Sequence, residues 1–471
     1  MGGMSLGGDA LLWLAERATY ELMLFAAVGL VLGGLDDMLI DAIWLVRATW
    51  RRLAIYSRHV PASAATLAPP EAPGRIAIFV GAWDEAAVIG PMLRAALDRL
   101  DHEEYRIFVG VYPNDPATIA AVGAVRATHP RGDRLRLVSG ALAGPTTKAE
   151  ALNRLWAALR DEEVREGRLY KAIVLHDAED VVHPAELKLF DTLIERFDLV
   201  QLPVQPLPDR GSRWVSGHYL DEFAEAHGKQ LVVREALGAG MPSAGVGCAI
   251  GREALERLAA TRGGLPFDAA SLTEDYELGL RLGELGCRGV FVRLPAVAGG
   301  PLVAVRAYFP ASFGAAVRQK TRWITGIALS GWDRLGWRGG LLEGWMRLRD
   351  RRAILAHLVV AAGYAAILIG ILAVLAQVAA GQPIRLPALP PILLDLTTGL
   401  LLWRLAMRGW MVMRFHGWRE GLRAVPRTVV SNIIGMAASW GAVRYYARLL
   451  GQGVLVWDKT RHRFPADPAV T

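Results

Sequence analysis

The sequence predicts an α/β domain with a mostly parallel sheet, flanked by helices that cross a membrane. Three observations carry this prediction. Short apolar runs alternate with amphipathic helical stretches between residues 75 and 204, the pattern of strands joined by crossover helices. Most of the polar motifs fall where such runs end, as in folds that bind ligands outside the carboxyl ends of parallel strands. The composition is also more apolar than a soluble protein needs. Of the 471 residues 53% are hydrophobic, and the mean hydropathy is +0.26, so some of that surface must face lipid.

Residues 1–60 form the first membrane region. Leu22 to Val46 is apolar except for Asp36, Asp37 and Asp41, and reads as a spanning helix or as one whose second half lies at the interface. No basic segment precedes the run and no small-residue site follows it, which argues against a cleaved signal peptide. Arg47, Arg51, Arg52 and Arg58 crowd its end and set the next domain, residues 70–335, on the cytoplasmic side. After an Ala- and Pro-rich linker, Pro61 to Pro73, strands are expected at 75–80, 105–112, 134–138, 172–175 and 199–204. Helices are expected at 85–100, 117–128, 148–168 and 184–197.

An amphipathic interface segment follows at 336–352, then membrane or interface helices over 353–450. Residues 353–380 include only His357 and Gln377 as strongly polar side chains, and make the clearest spanning helix. Leu386 to Trp403 is a second candidate, with prolines suited to a helix start and an Asp395 that needs a partner or an interfacial position. Residues 429–449 either span or lie on the surface. Arginines at 347–352 and 404–427 flank a link, Gly381 to Pro387, that holds only Arg385. The link is therefore expected outside and the tail 451–471 inside.

The net charge of +7 belongs to these juxtamembrane arginines, and no nucleic-acid recognition motif accompanies it. Cys248 and Cys287 are the only cysteines and form no Cys-x-x-Cys, which fits a reduced compartment. No Gly-x-x-x-x-Gly-Lys-[Ser/Thr] loop is present, setting aside a nucleotide-driven transporter subunit.

The strongest motif is Leu175-His176-Asp177-Ala178-Glu179-Asp180, which ends an apolar run. Hard divalent cations such as Mg2+ or Mn2+ take oxygen ligands and share their shell with substrate phosphates, so Asp177, Glu179 and Asp180 are candidate metal ligands. A solvated acidic turn explains such a cluster when it stands alone. Here Thr273-Glu274-Asp275 and Gln319-Lys320-Thr321-Arg322-Trp323 follow it.

In that order and spacing, the three elements resemble the membrane-bound family 2 glycosyltransferases over roughly residues 70 to 335. Within that family, the phrases His176 to Asp180, Leu272 to Leu278 and Trp457 to Pro465 are similar to the bacterial phage adsorption protein B (NfrB) type. The last phrase has no chemistry derivable from its residues. The resemblance implies a GT-A glycosyltransferase domain in the bacterial inner membrane, inverting transfer from a UDP-sugar donor, and a growing glycan as acceptor. It also implies an export path beside the active site and an outer-membrane export partner. Single-sugar transfer to a lipid carrier is the rival within the class, and a non-catalytic nucleotide-sensing phage receptor the rival outside it. Relatives of this type carry a further domain after the Trp457 phrase, and regulation through such a domain is not expected of a sequence ending at Thr471.

Site residues follow from the same resemblance. Asp84 and Glu85, after the first strand, match the position that holds the uridine, although Asp84 serves equally as a helix N-cap. Asp115 matches the second nucleotide-binding acid, or is a turn residue ahead of Pro116. Lys148 matches the lysine of a Gly-x-x-x-Lys stretch, where a cation joins exposed N–H groups at a helix start to bind a diphosphate. The glycine-dense run 245–251 matches an acceptor-side loop. Asp275 takes the place of the catalytic base, with capping of the next helix by Thr273 and Glu274 as a compatible role. Gln319, Arg322 and Trp323 match the Gln-x-x-Arg-Trp motif of chain-lengthening enzymes. Arg322 can grip diphosphate oxygens with both guanidinium arms and Trp323 can offer a flat face to a sugar, though a membrane-surface helix would hold the same pair.

Overall fold

A computed structural model of the chain describes residues 6–452 and 462–466. Trp457 to Arg461 and most of the expected tail lie outside the described residues. The strands are β1 (Ile76–Gly81), β2 (Tyr105–Val111), β3 (Leu135–Ser139), β4 (Ala172–His176), β5 (Leu199–Gln201), β6 (Val204–Pro206), β7 (Cys248–Gly251), β8 (Gly289–Phe291) and β9 (Val305–Ala307). The helices of the α/β domain are α2 (Ile89–Arg99), α3 (Pro116–Thr128), α4 (Lys148–Glu166), α5 (Glu186–Leu193), α6 (Gly217–Glu225), α7 (Leu231–Ala236), α8 (Arg252–Ala260), α9 (Glu274–Glu284) and α10 (Phe313–Ile324). Before them runs α1 (Leu6–Trp50), and after them α11 (Gly331–Leu335), α12 (Leu341–Arg351), α13 (Ala353–Ala379), α14 (Pro391–His416) and α15 (Trp418–Gln452).

The main sheet has the order β3-β2-β1-β4-β7-β5-β8, and β6 pairs with β9 in a separate ribbon. β3, β2, β1 and β4 run parallel, whereas β7 is antiparallel to both β4 and β5. A central parallel strand is covered on both faces and so reads as a continuous apolar run. β1 does this residue by residue. Ile76, Ile78 and Val80 enter one core with Met92 and Leu93 of α2, while Ala77 and Phe79 enter the other with Leu155 and Trp156 of α4.

Several boundaries differ from expectation. The run 199–204 divides into β5 and β6 because Pro203 cannot donate to a sheet ladder. The expected helix at 85–100 begins only at Ile89, since 85–88 form a turn in which Glu85 C=O accepts from the N–H groups of Val88 and Ile89. The glycine-dense run is a loop only at its start. Gly245 and Gly247 have positive φ, and Cys248–Gly251 is β7, in the middle of the sheet. Residues 386–390 are not helical, and the helix there starts at Pro391.

Among the described residues, two helices are long and apolar enough to cross a membrane, Ala10–Ile55 and Ala353–Ala379, and α14 and α15 are not among them. α1 packs along α13, α14 along α15 and α6, and α10 along α15. At Gly29 a Cβ would lie 2.5 Å from Val359 Cγ2, so a small residue is what lets α1 and α13 approach. The acidic residues in the second half of α1, Asp36, Asp37 and Asp41, are partnered. Asp36 accepts from Trp345 Nε1 at 2.6 Å and, with Asp37, from Arg349 and Arg352. Asp41 is wholly buried between Lys229 and the indole N–H of Trp403. The three carboxylates of the second half of α1 are thus turned to protein, while Leu32, Leu39 and Val46 stay exposed.

Candidate active site

The loops at the carboxyl ends of β1 and β4 meet the start of α9 and the face of α10 around one cavity of about 1250 Å³. Lys148, Asp177, Glu179, Asp180 and Asp275 line it, and so do Gln319, Arg322 and Trp323. Asp84 and Asp115 do not. The cavity continues past Met346 and Arg349 to Ala356 and His357 near the start of α13.

Lys148 is the first residue of α4, behind Thr147, whose side chain accepts from Glu150 N–H at 3.2 Å. Its Nζ lies 2.5 Å from Asp177 Oδ1 and 3.4 Å from the Gly245 carbonyl. The expected diphosphate partner is therefore paired with a carboxylate in this structure. Burial opposes its charge, but Asp177, Glu274 and Asp275 outweigh that and hold the ammonium above its ordinary range. Burial likewise opposes ionisation of Asp177, and Lys148, then His462 and Arg322, reverse it and hold that carboxyl below its ordinary range.

Alternate positions along a strand do not describe Asp177, Glu179 and Asp180 in the folded chain. β4 ends at His176, and residues 178–179 form a turn, so the three carboxylates do not share a face. Asp180 folds back, and its Oδ2 accepts from His176 Nδ1 and from Asp177 N–H, each at 2.9 Å. Glu179 instead joins Glu85 and His462, with one ligand atom from each all within 4.8 Å of one another, and His462 Nδ1 is ion-paired with Glu179. Glu85, expected at the nucleoside, thus stands in this group. Two carboxylates and an imidazole are a donor set that can hold a divalent cation. His462 belongs to the Trp457 phrase. That resemblance was the only sequence signal for it, because a lone histidine near a chain end carries no ligand spacing.

Asp84 does not cap α2, which starts five residues later at Ile89. It has φ +52°, and its N–H donates to Asp115 Oδ2 at 2.6 Å. Asp115 is the side chain that caps, accepting also from Thr118 N–H at 3.2 Å at the start of α3. Both of its oxygens are engaged by backbone, which makes it a brace between the loops after β1 and β2.

Thr273 is the N-cap residue of α9, but its side chain makes no capping bond. Asp275 Oδ1 accepts from Tyr276 N–H at 2.7 Å, and the other oxygen lies over Gly245, where a Cβ would collide with it. Burial raises the Asp275 carboxyl, and burial with Asp275 beside it pushes Glu274 up to about 7. On α10, the Trp323 ring stands edge-on to Tyr219 at 6.1 Å and Phe223 at 6.5 Å. Phe223 and Trp323 line the cavity. Trp332 and Trp337, by contrast, are about half exposed and pack against each other under Arg351.

Residues 73–326 match the family described as Glycosyltransferase like family 2. The chain is 38% identical over 472 residues to Bacteriophage adsorption protein B of Escherichia coli (strain K12), and likewise to Bacteriophage N4 adsorption protein B of Escherichia coli O157:H7. Each match covers 93% of this chain and 61% of the relative, so the chain spans about three-fifths of the length of these curated relatives. Among solved structures it is similar in fold to the mannosyltransferase PcManGT of Pyrobaculum calidifontis, in complex with GDP-Man and Mn2+. The TM-score is 0.51 at 18% identity, covering 89% of this chain and 98% of that one. With more than half of its length matched, and with the sheet order and cavity just described, the chain belongs to glycosyltransferase family 2 and has the GT-A fold.

Proposed function

We propose that this chain transfers a sugar, with inversion, from a nucleoside diphosphate donor to a hydroxyl of a glycan or lipid-linked acceptor at the membrane. The observation that carries this reading is one cavity holding both Asp275 and the Glu85, Glu179 and His462 group. Such a transfer needs one base for the acceptor proton and charge stabilisation for the departing diphosphate. It needs no general acid, unlike glycoside hydrolysis, where two carboxyl groups flank the bond.

In this mechanism the acceptor oxygen forms its bond to the sugar C1 as the bond from C1 to the diphosphate breaks, and Asp275 takes the hydroxyl proton. Glu85, Glu179 and His462 would hold Mn2+, which when bound supplies Lewis-acid neutralisation of the diphosphate. Arg322 binds phosphate oxygens, the first-turn N–H groups of α4 and Lys148 add positive potential, and Trp323 faces the acceptor. The extension of the cavity to α13 supports an acceptor that arrives or leaves along the membrane region. We place the α/β domain on the cytoplasmic face of a bacterial inner membrane, following the arginine clusters.

The family resemblance favours uridine as the donor base, and the GDP-Man of the solved mannosyltransferase makes guanosine the competitor. Purified membranes should release nucleoside diphosphate from one member of a panel of uridine and guanosine diphosphate sugars in the presence of Mn2+. Release no greater than from membranes carrying Asp275→Asn would sink the catalytic reading. It would favour the second one, a non-catalytic receptor, which the names of the curated relatives suggest.

A further inference from the structure

His176 ends β4, is fully buried, and has no part in the chemistry just described. Its Nδ1 lies 2.9 Å from Asp180 Oδ2 and its Nε2 lies 2.9 Å from Glu186 Oε1. Each ring nitrogen faces a carboxylate, so the ring donates at both ends. Asp180 Oδ2 also accepts from Asp177 N–H at 2.9 Å, and Glu186 Oε2 accepts from His183 N–H at 3.2 Å. The ring therefore ties the turn that leaves β4 to the start of α5. Downstream, Val181 N–H is fixed on the Arg306 carbonyl at 2.7 Å. Between these anchors stand only Ala178 and Glu179.

A purely space-filling role fits poorly. Three apolar side chains would fill this volume without the desolvation that two buried carboxylates and a ring incur, and such swaps are often neutral or stabilising. What an apolar trio lacks is the directed bond from Asp180 to the Asp177 N–H, which sets the path of the turn.

We propose that His176 is a positioning residue. By holding Asp180 and Glu186 it keeps the Asp177–Asp180 turn in the shape that presents Glu179 to Glu85 and His462 and leaves Asp177 to Lys148. The inference rests on the metal-dependent reading of the site given above.

The test uses the full chain purified in detergent, with His176→Gln and, as a variant that leaves the ring and Asp180 in place, Glu186→Gln. Mn2+ binding is followed by electron paramagnetic resonance, thermal unfolding is measured without metal, and transfer is measured against Mn2+ concentration. For His176→Gln the Mn2+ dissociation constant should rise roughly tenfold to a hundredfold, the range for partners that orient metal ligands. The kcat should recover toward the parent value at saturating Mn2+, with the acceptor KM unchanged. Glu186→Gln should move the same way by less, and decides the matter if His176→Gln does not fold. Parent-like Mn2+ affinity in folded variants, even with lowered unfolding temperatures, would overturn the positioning role alone. A parent chain that binds no Mn2+ and transfers sugar in excess chelator would overturn the metal reading and this inference with it.

Discussion

The ammonium of Lys148 stands 2.5 Å from the carboxylate of Asp177, joining the first turn of α4 to the loop after β4 beneath the start of α9. Its charge is also held by the nearby carboxyl groups of Glu274 and Asp275. Removing it should leave Asp177 ionised without its main partner. The folded Asp177 carboxyl titrates below its ordinary range, so its stabilisation is present above that range and is lost as pH falls through the folded value. The Lys148 ammonium titrates above its ordinary range, so its share is fully present at neutral pH. Lys148→Met should therefore unfold at a lower temperature than the parent at pH 7, with the gap still open near pH 4 and closing only as pH falls below the ordinary aspartate range, about 3.9. Scanning calorimetry at neutral pH and well below that range checks this; an equal gap at both would contradict it.

Metal dependence should run through His462 as well as the acidic residues. Chelator should abolish transfer and Mn2+ restore it, and His462→Ala should need at least about tenfold more Mn2+ for half-maximal rate, since even outer partners of ligands act on that scale. A titration of rate against Mn2+ decides it, and an unchanged requirement would remove His462 from the site.

Asp275→Asn keeps the shape of the side chain but cannot accept the acceptor proton. Transfer should fall by roughly 10² to 10⁴, the range of general base catalysis, while calorimetric affinity for the nucleoside diphosphate stays close to that of the parent. A variant that transfers sugar near the parent rate would show that Asp275 is not the base.

The pH profile should carry the mark of the same acidic pair. Burial raises Asp275, and Glu274 beside it is pushed up to about 7, so the base is protonated at higher pH than a free carboxylate. The kcat/KM should therefore fall on the acid side with an inflection above the ordinary carboxylate range near 4. An inflection at or below 4 would show that burial does not govern the base.

Arg322 and Trp323 should fail differently. Arg322→Ala removes a phosphate-binding cation and should lower kcat with every acceptor, whereas Trp323→Ala should chiefly raise the acceptor KM. Matching losses that follow the amount of folded protein would assign both residues to packing of α10.

The central strands of the α/β domain were readable because each is buried on both faces, which forces an unbroken apolar run such as Ile76 to Val80. β7 was not, because Cys248–Gly251 is four residues long, lies in a glycine-dense stretch, and owes its place to antiparallel pairing with β4 and β5. Local patterning carries no trace of such pairing. The helix at Ala353–Ala379 was readable because its apolar residues run almost unbroken all round it, over a length sufficient to cross a membrane.

By itself the sequence determined which residue types gather at the cavity. The order of the Asp177, Asp275 and Gln319 motifs places a carboxylate loop, a candidate base and an Arg-Trp pair at ends and faces of predictable elements. Tertiary structure alone decided what each carboxylate meets. Whether Asp177 faces Lys148, Asp180 turns inward to His176, or Glu179 finds Glu85 depends on a turn of two residues after β4 and on where the β1 loop lies. His462 arrives from the far end of the chain, and its approach to Glu179 is a contact between segments remote in sequence. Short-range periodicity encodes burial, whereas the partner of a charged group is set by which distant backbone segments the packed core brings within a few ångströms.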